Sequence, residues 1–189
     1  MEKLDKPLDK KLLKSPHDGI HFGVSSSSGG VGLSSPLTFG MEGTTYGANI
    51  LRYSLSAGQT FEGVLQGVTV TSFTVNMRRW GSMSGTLTAY IWKRSDNSVV
   101  GTFNGAISAN SVSTGTSGSN HTFTHSGITT PSADWEIGVQ MSGYSGSAPI
   151  DFIHPVRDTS NPFEFGDATG GHSTSGLTNS DIGMTLVWS

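Results

Sequence analysis

The feature that most constrains the fold is a change of pattern near residue 40. From there onwards, short segments alternate apolar and polar residues, for example FTVNM at 73–77 and LTAYI at 87–91, and Gly, Ser and Thr turns separate them. Alternation with period two turns one side of a strand towards a core and the other towards solvent or a partner. About eight to ten such segments, spaced roughly ten residues apart, predict an all-β fold: a two-sheet antiparallel β-sandwich of the jelly-roll type over residues 40–189.

The strongest alternating segments define the predicted core: Phe73, Val75, Leu87, Ala89, Ile91, Ile137, Val139, Met184 and Leu186. Weaker strands are predicted near residues 50–54, 63–70, 99–103, 106–112, 121–125 and 150–154. Residues 95–98 (SDNS) predict a hairpin turn, because Asn, Asp and Ser favour turn conformations.

The first 39 residues show no strand pattern and predict an extended N-terminal arm. Residues 24–35 (VSSSSGGVGLSS) have the composition of a flexible linker. Upstream of them, leucines at helical spacing lie among lysines, so a short helix could form on a partner surface. The candidate assembly residues of the arm are Leu4, Leu8, Lys10, Lys11, Leu12 and Leu13. The alternative is an inert, solvated tail.

Composition and charge narrow the choice of partners. The net charge is −3 and the isoelectric point is near 6.0, so no basic field favours nucleic acid. Cysteine is absent, which excludes disulfides and thiolate chemistry. No stretch reaches the roughly 18 apolar residues that a membrane span needs. The opening segment has no apolar core of a signal peptide, so we expect synthesis and folding in a cytoplasm.

The sequence also predicts that the protein is not an enzyme and has no cofactor. The segment GSMSG at 81–85 has Met83 where a serine-hydrolase elbow places its nucleophile. No phosphate-binding loop of the G-x-x-x-x-G-K-[ST] type occurs, and the acidic residues are scattered. No metal is expected either. The alternative is a calcium site among the oxygen-bearing residues of one acidic loop, Asp158, Asn161, Glu164 and Asp167, which lack EF-hand spacing.

Four large aromatic residues are candidates for a ligand or interface face: Trp80, Tyr90, Trp92 and Tyr144. Tyr90 and Trp92 alternate with the predicted core residues of their segment, so both project from the opposite side of the strand. Sugar-binding sites need such aromatic platforms beside amide and hydroxyl groups. The alternative is that these rings cover the edge of the core.

Two stretches resemble a known pattern: FTVNMRRWGSMSGTLTAYIWKRSDNSVVGTF at 73–103 and HTFTHSGITTPSADWEIGVQM at 121–141. They are similar to the jelly-roll β-sandwich of phage virion accessory proteins and bacterial extracellular proteins, which includes galactose-binding-like domains and carbohydrate-binding modules. The resemblance covers roughly residues 60–141. The matching positions are Gly81, Ser84, Gly85, Thr86 and Leu87, and later Trp135, Ile137 and Val139.

These observations predict a virion structural protein, either a capsid decoration (cement) protein or a fibre component, that attaches to a larger viral assembly through its N-terminal arm. It would be made in the host cytoplasm and end in the virion. Its partners would be other virion proteins and further copies of itself, with a trimer as the first expectation by analogy with virion accessory proteins. The alternative is a carbohydrate-binding or host-receptor-binding adhesive module that recognises a cell-surface glycan.

Overall fold

The computed structural model describes residues 33–39, 41, 45–46, 56–145, 152–158, 163, 165–170 and 181–189. A single 3-10 turn, Ala109–Ser111, is the helical element found in these ranges. The strands are β1 Leu37–Phe39, β2 Thr45–Tyr46, β3 Ser56–Phe61, β4 Thr69–Trp80, β5 Ser84–Lys93, β6 Val99–Thr102, β7 Ile107–Ser108, β8 Ser119–Thr129, β9 Trp135–Ser145, β10 Phe152–Asp158, β11 Ala168–Gly170, β12 Asp181–Ile182 and β13 Met184–Trp188.

The strands of the described ranges form two antiparallel sheets that pack against each other, which confirms the predicted sandwich. Sheet 1 contains β1, β2, β4, β8, β10, β12 and β13, and sheet 2 contains β3, β5, β6, β7, β9 and β11. In sheet 1, β4 pairs with β8 along one side and with β13 and β10 along the other. In sheet 2, β9 lies between β3 and β5. These pairings establish the two-sheet architecture, and the finer jelly-roll assignment stays a prediction.

The core lies between the two sheets, where the alternating sequence places its apolar side chains. Every residue predicted as core is at most 1% exposed. Burying a side chain of this size contributes about 1.5–3 kcal/mol relative to leaving it in water. Two aromatic groups extend the core. Phe61 stacks on Trp135 with ring centroids 4.3 Å apart, and Phe73 lies beside Phe123 at 6.2 Å.

Four strands were absent from the sequence expectations: β1, β2, β3 and β11. β3 has no apolar alternation, and all six of its residues are buried, because it is covered on both faces. β11 pairs with β3 at the edge of sheet 2. The close approach of β3 and β9 depends on glycine: a Cβ on Gly138 would overlap the backbone of Ala57.

One predicted turn is present, and several predicted strands differ from the observed ones. The predicted turn at 95–98 is present: Lys93 N–H donates to the Ser98 carbonyl at 2.9 Å and Asn97 has a positive φ. The segment 63–70 is mostly the turn between β3 and β4, and 106–112 contains only the two-residue β7 before the 3-10 turn. The strand predicted at 50–54 lies outside the described residues.

Candidate functional site

The junction between the N-terminal segment and the sandwich lies at the edge of sheet 1. Residues 37–39, at the end of the range predicted as arm, form β1 and pair with residues 184–186 of β13. Just before β1, the Ser35 hydroxyl accepts a hydrogen bond from the Trp188 backbone N–H at 3.0 Å. The candidate assembly residues Leu4, Leu8, Lys10, Lys11, Leu12 and Leu13 all lie outside the described residues.

Tyr90 and Trp92 occupy the outer face of sheet 2, on the side of β5 that the alternation predicted. Their ring centroids lie 5.3 Å apart. Trp92 is only 2% exposed, and Tyr90 is half-buried. A ring that is this deeply buried cannot stack on a ligand without a rearrangement, so the pair acts as packing on this face.

A buried ion pair lies beside Trp92 on the same face. The Glu136 carboxylate is 1% exposed and accepts hydrogen bonds from the Arg94 guanidinium at 3.1 Å and from the Thr169 hydroxyl. Gly58 makes room for it, since a Cβ there would lie 2.5 Å from the carboxylate oxygen. A buried carboxylate held by a cation and a hydroxyl satisfies the requirement for a paired buried charge. Its partners therefore fix β9 against β11.

A second buried polar pair joins the two sheets. The Gln59 side-chain amide on β3 donates to the Asp181 carboxylate on β12 at 2.8 Å, and its carbonyl oxygen accepts from the Ile182 backbone N–H at 2.9 Å. The other carboxylate oxygen of Asp181 accepts from the Phe163 N–H at 3.0 Å. Gln59 and Asp181 are both fully buried. These bonds tie sheet 2 to sheet 1 at this edge.

Trp80 and Tyr144 lie apart from Tyr90 and Trp92. Trp80 ends β4 on the outer side of sheet 1 and is 42% exposed, and the Arg78 guanidinium stacks on its ring at 3.9 Å from the centroid. Tyr144 is half-buried and packs against the core. The four aromatic candidates therefore belong to three different surroundings, and Trp80 is the one that presents a large exposed surface.

The outer face of sheet 1 carries a row of threonines that the sequence analysis did not identify. Thr38, Thr185, Thr74 and Thr122 come from four adjacent strands and lie opposite one another in register. Their hydroxyls are hydrogen-bonded in pairs, at 2.9 Å for Thr38 with Thr185 and 2.8 Å for Thr74 with Thr122. The sequence signal is present, because each threonine alternates with core residues, but the register that joins them is not readable from one chain.

His121 is held in a short hydrogen-bond chain at the edge of sheet 1. Its Nε2 lies 2.7 Å from the Ser119 hydroxyl, which accepts the Ser113 backbone N–H at 3.1 Å. Burial lowers the pKa of His121 below its usual value of 6.5. The neutral imidazole is therefore favoured. The bond from Ser113 to Ser119 fixes the loop before β8 to the strand, and His121 holds the Ser119 hydroxyl in place.

The calcium candidates are only partly covered by the described ranges. Asn161 and Glu164 lie outside them, and Asp158 ends β10 opposite Asp181 in register. Asp167 uses its backbone to bind Thr60: its carbonyl accepts from the Thr60 N–H at 3.0 Å. Among the described residues, no group of three or more His, Cys, Asp or Glu side chains could hold a metal ion.

Comparison with protein-family models, curated proteins and solved structures finds no match for this chain. The galactose-binding-like resemblance therefore rests on the sequence pattern, while the sandwich rests on the strand pairings. In the part of the chain that the structure describes, no helix has the length and hydrophobicity to cross a membrane.

Proposed function

We propose that the protein is a non-catalytic structural component of a virus particle, a capsid decoration or fibre protein whose sandwich is attached through its N-terminal arm. The observation that carries this proposal is the junction of arm and sandwich. β1 forms the last residues of the predicted arm and pairs with β13, which pairs with the long strand β4. A force on residues 1–32 would therefore reach sheet 1 through the backbone hydrogen bonds between β1 and β13, and it would act on these bonds along the strand direction.

The paired polar groups inside the sandwich support a mechanical role. Gln59 and Asp181 link the two sheets, and Arg94, Glu136 and Thr169 link strands within sheet 2. Fully satisfied buried polar networks make a core rigid and specify one arrangement. A rigid domain at the end of an arm whose linker composition predicts flexibility is suited to decorating a particle surface.

The edge of sheet 2 offers a contact between copies, in keeping with the proposed homo-oligomer. Among the described strands, β6 pairs with β5 alone, and its Val99 and Val100 are 55% and 37% exposed. An exposed edge can pair with another chain, and although the register of β6 with β5 shifts between Ile91 and Trp92, both valines remain exposed. A closed ring such as a trimer would cover this edge.

A second candidate function, a carbohydrate-binding or host-receptor-binding adhesive module, is favoured by Trp80. This indole is 42% exposed on the outer face of sheet 1, on the same side of β4 as Thr74 and Asn76, whose side chains are hydrogen-bonded to Thr122 and Asn120. A receptor-binding fibre would combine both functions.

The arm is tested with variants of the full chain in particles made from a viral genome that carries the gene. Leu4, Leu8, Leu12 and Leu13 are changed together to Ser, and the matched control changes four serines of the linker, residues 25–28, to Thr. We expect the leucine variant to be lost from purified particles while its melting temperature stays within 1–2 °C of the wild type, roughly the effect of a surface change. Incorporation equal to the control would reject the arm as the anchor.

A further inference from the structure

The two outer faces of the sandwich differ in their access to solvent. Much of the outer face of sheet 2 is buried: Ser56, Thr60, Trp92, Glu136 and Thr169 are each at most 2% exposed. The outer face of sheet 1 is open. Its edge residues Thr38, Asn120, Thr122 and Thr124 are exposed, and the central strands between them are half-buried, as expected for a sheet surface.

The open face is mostly polar. Its described side chains on β1, β4, β8 and β13 are hydroxyl, amide or small apolar groups, apart from Arg78 and Trp80 at one end, where the register places His154 of β10 opposite Arg78. Asn76 and Asn120 lie opposite each other next to the threonine row, and the Asn76 amide donates to Asn120 at 2.7 Å. The face therefore presents both donors and acceptors, and its described charge is the Arg78 guanidinium at one end.

The exposed indole lies at one end of this face. Thr74, Asn76, Arg78 and Trp80 alternate along β4 and share its outer side. Trp80 lies six positions after Thr74 on β4, which corresponds to about 20 Å at the rise of a strand. The Arg78 guanidinium packs on the Trp80 ring and holds its orientation, so the exposed part of the indole is a preorganised apolar platform.

We infer that this face binds an extended neutral glycan, with the sugar hydroxyls on the Thr and Asn side chains and one sugar ring against Trp80. A neutral polyol suits a face that has donors and acceptors but only one described ionisable side chain, whereas an anionic polymer would need several cations. Aromatic platforms with a few polar groups are the usual parts of a sugar site. This site differs from the Tyr90–Trp92 face and does not depend on the role of the arm.

The inference is tested by affinity electrophoresis of the full chain in gels that contain one polysaccharide each. The neutral probes are laminarin, hydroxyethyl cellulose, galactomannan and yeast mannan, and hyaluronate is the anionic probe. We expect at least one neutral probe, and not hyaluronate, to retard the wild type. Trp80→Ala should raise the dissociation constant for that probe at least tenfold, a change equivalent to about 1.4 kcal/mol.

A pair of charge insertions locates the site. Thr122→Glu puts a carboxylate on the open face, and Thr86→Glu puts one at an exposed threonine of β5 in sheet 2, away from the β6 edge. We expect retardation to be lost in the first variant and kept in the second, with unchanged circular dichroism in both. The inference is overturned if no neutral probe retards the wild type, or if Trp80→Ala and Thr122→Glu bind as the control does. Sedimentation in which Thr122→Glu alone dissociates an oligomer would assign the face to a second copy and would equally overturn it.

Discussion

Gln59→Leu is the substitution that most sharply tests how the two sheets are joined. Leucine has a similar volume but removes both hydrogen bonds of the amide. The Ile182 N–H loses its acceptor at 2.9 Å, and the Asp181 carboxylate loses a donor at 2.8 Å. All three residues are at most 1% exposed, so water cannot replace the lost bonds without a rearrangement.

The expected loss of stability follows from these two groups. An unsatisfied buried N–H costs about 1–3 kcal/mol, and a lost hydrogen bond to a charged group costs about 1.5–3 kcal/mol. Their sum is about 4 kcal/mol, a large share of the roughly 5–15 kcal/mol that keeps a domain folded. For a chain of this length the melting temperature should fall by about 8–16 °C. Urea unfolding followed by tryptophan fluorescence measures the difference directly.

The matched control is Gln66→Leu, the same replacement at an exposed glutamine in the turn between β3 and β4. Its free energy of unfolding should stay within about 0.5 kcal/mol of the wild type. If Gln59→Leu unfolds at the same urea concentration as Gln66→Leu, the pair does not join the sheets and the reasoning on buried polar groups fails here.

Three further predictions follow from single contacts. Gly138→Ala should lower the free energy of unfolding by about 1–3 kcal/mol, and with it the urea midpoint, because its methyl group would overlap the Ala57 backbone. Unchanged unfolding would refute the close strand approach. Burial lowers the pKa of His121, so the folded state binds fewer protons at this residue than the unfolded state does. The free energy of unfolding should therefore fall as the pH drops below about 6.5. Urea unfolding at pH 5 and 7.5 should show that His121→Gln reduces this pH dependence. Hydrogen bonds from Ser98, together with one from Lys93, lower the pKa of Asp96 to about 2. Ser98→Ala should raise this pKa towards 3.8 in an NMR titration. An unchanged value would contradict the turn geometry.

Much of the sandwich is predictable from the alternation alone. In β4, β5, β9 and β13 the apolar period matches the pleat, so the residues predicted as core are the residues that the sheets bury. The hairpin at 95–98 is predictable too, because Asp96 and Asn97 have the local conformations that a tight turn needs.

β3 is not predictable in this way. It is buried on both faces, so a polar residue such as Gln59 points into the core and breaks the alternation. Its partner Asp181 lies 122 residues away in the chain, and no local pattern connects the two. Buried polar pairs of this kind depend on the three-dimensional arrangement.

The candidate faces also combine features that the sequence predicts with features that it does not. The alternation correctly predicts that Trp92 projects away from the core, but its burial depends on what packs over sheet 2. Thr74 and Thr122 are readable as outward residues, yet only the register of β4 with β8 makes them neighbours. The local periodicity predicts to which side of a strand a residue points, whereas its solvent accessibility and its neighbours on other strands depend on the tertiary packing.

The most direct test of the proposed function is a count of this protein in purified virus particles by quantitative mass spectrometry, for the full chain and for a chain that lacks residues 1–32. The truncation ends before Ser35 and β1, so the sandwich contacts at the edge of sheet 1 stay intact. We expect a fixed, multiple copy number of the full chain per particle and none of the truncated chain, at equal folded stability. Particles without the full chain, or with equal numbers of both chains, would contradict it.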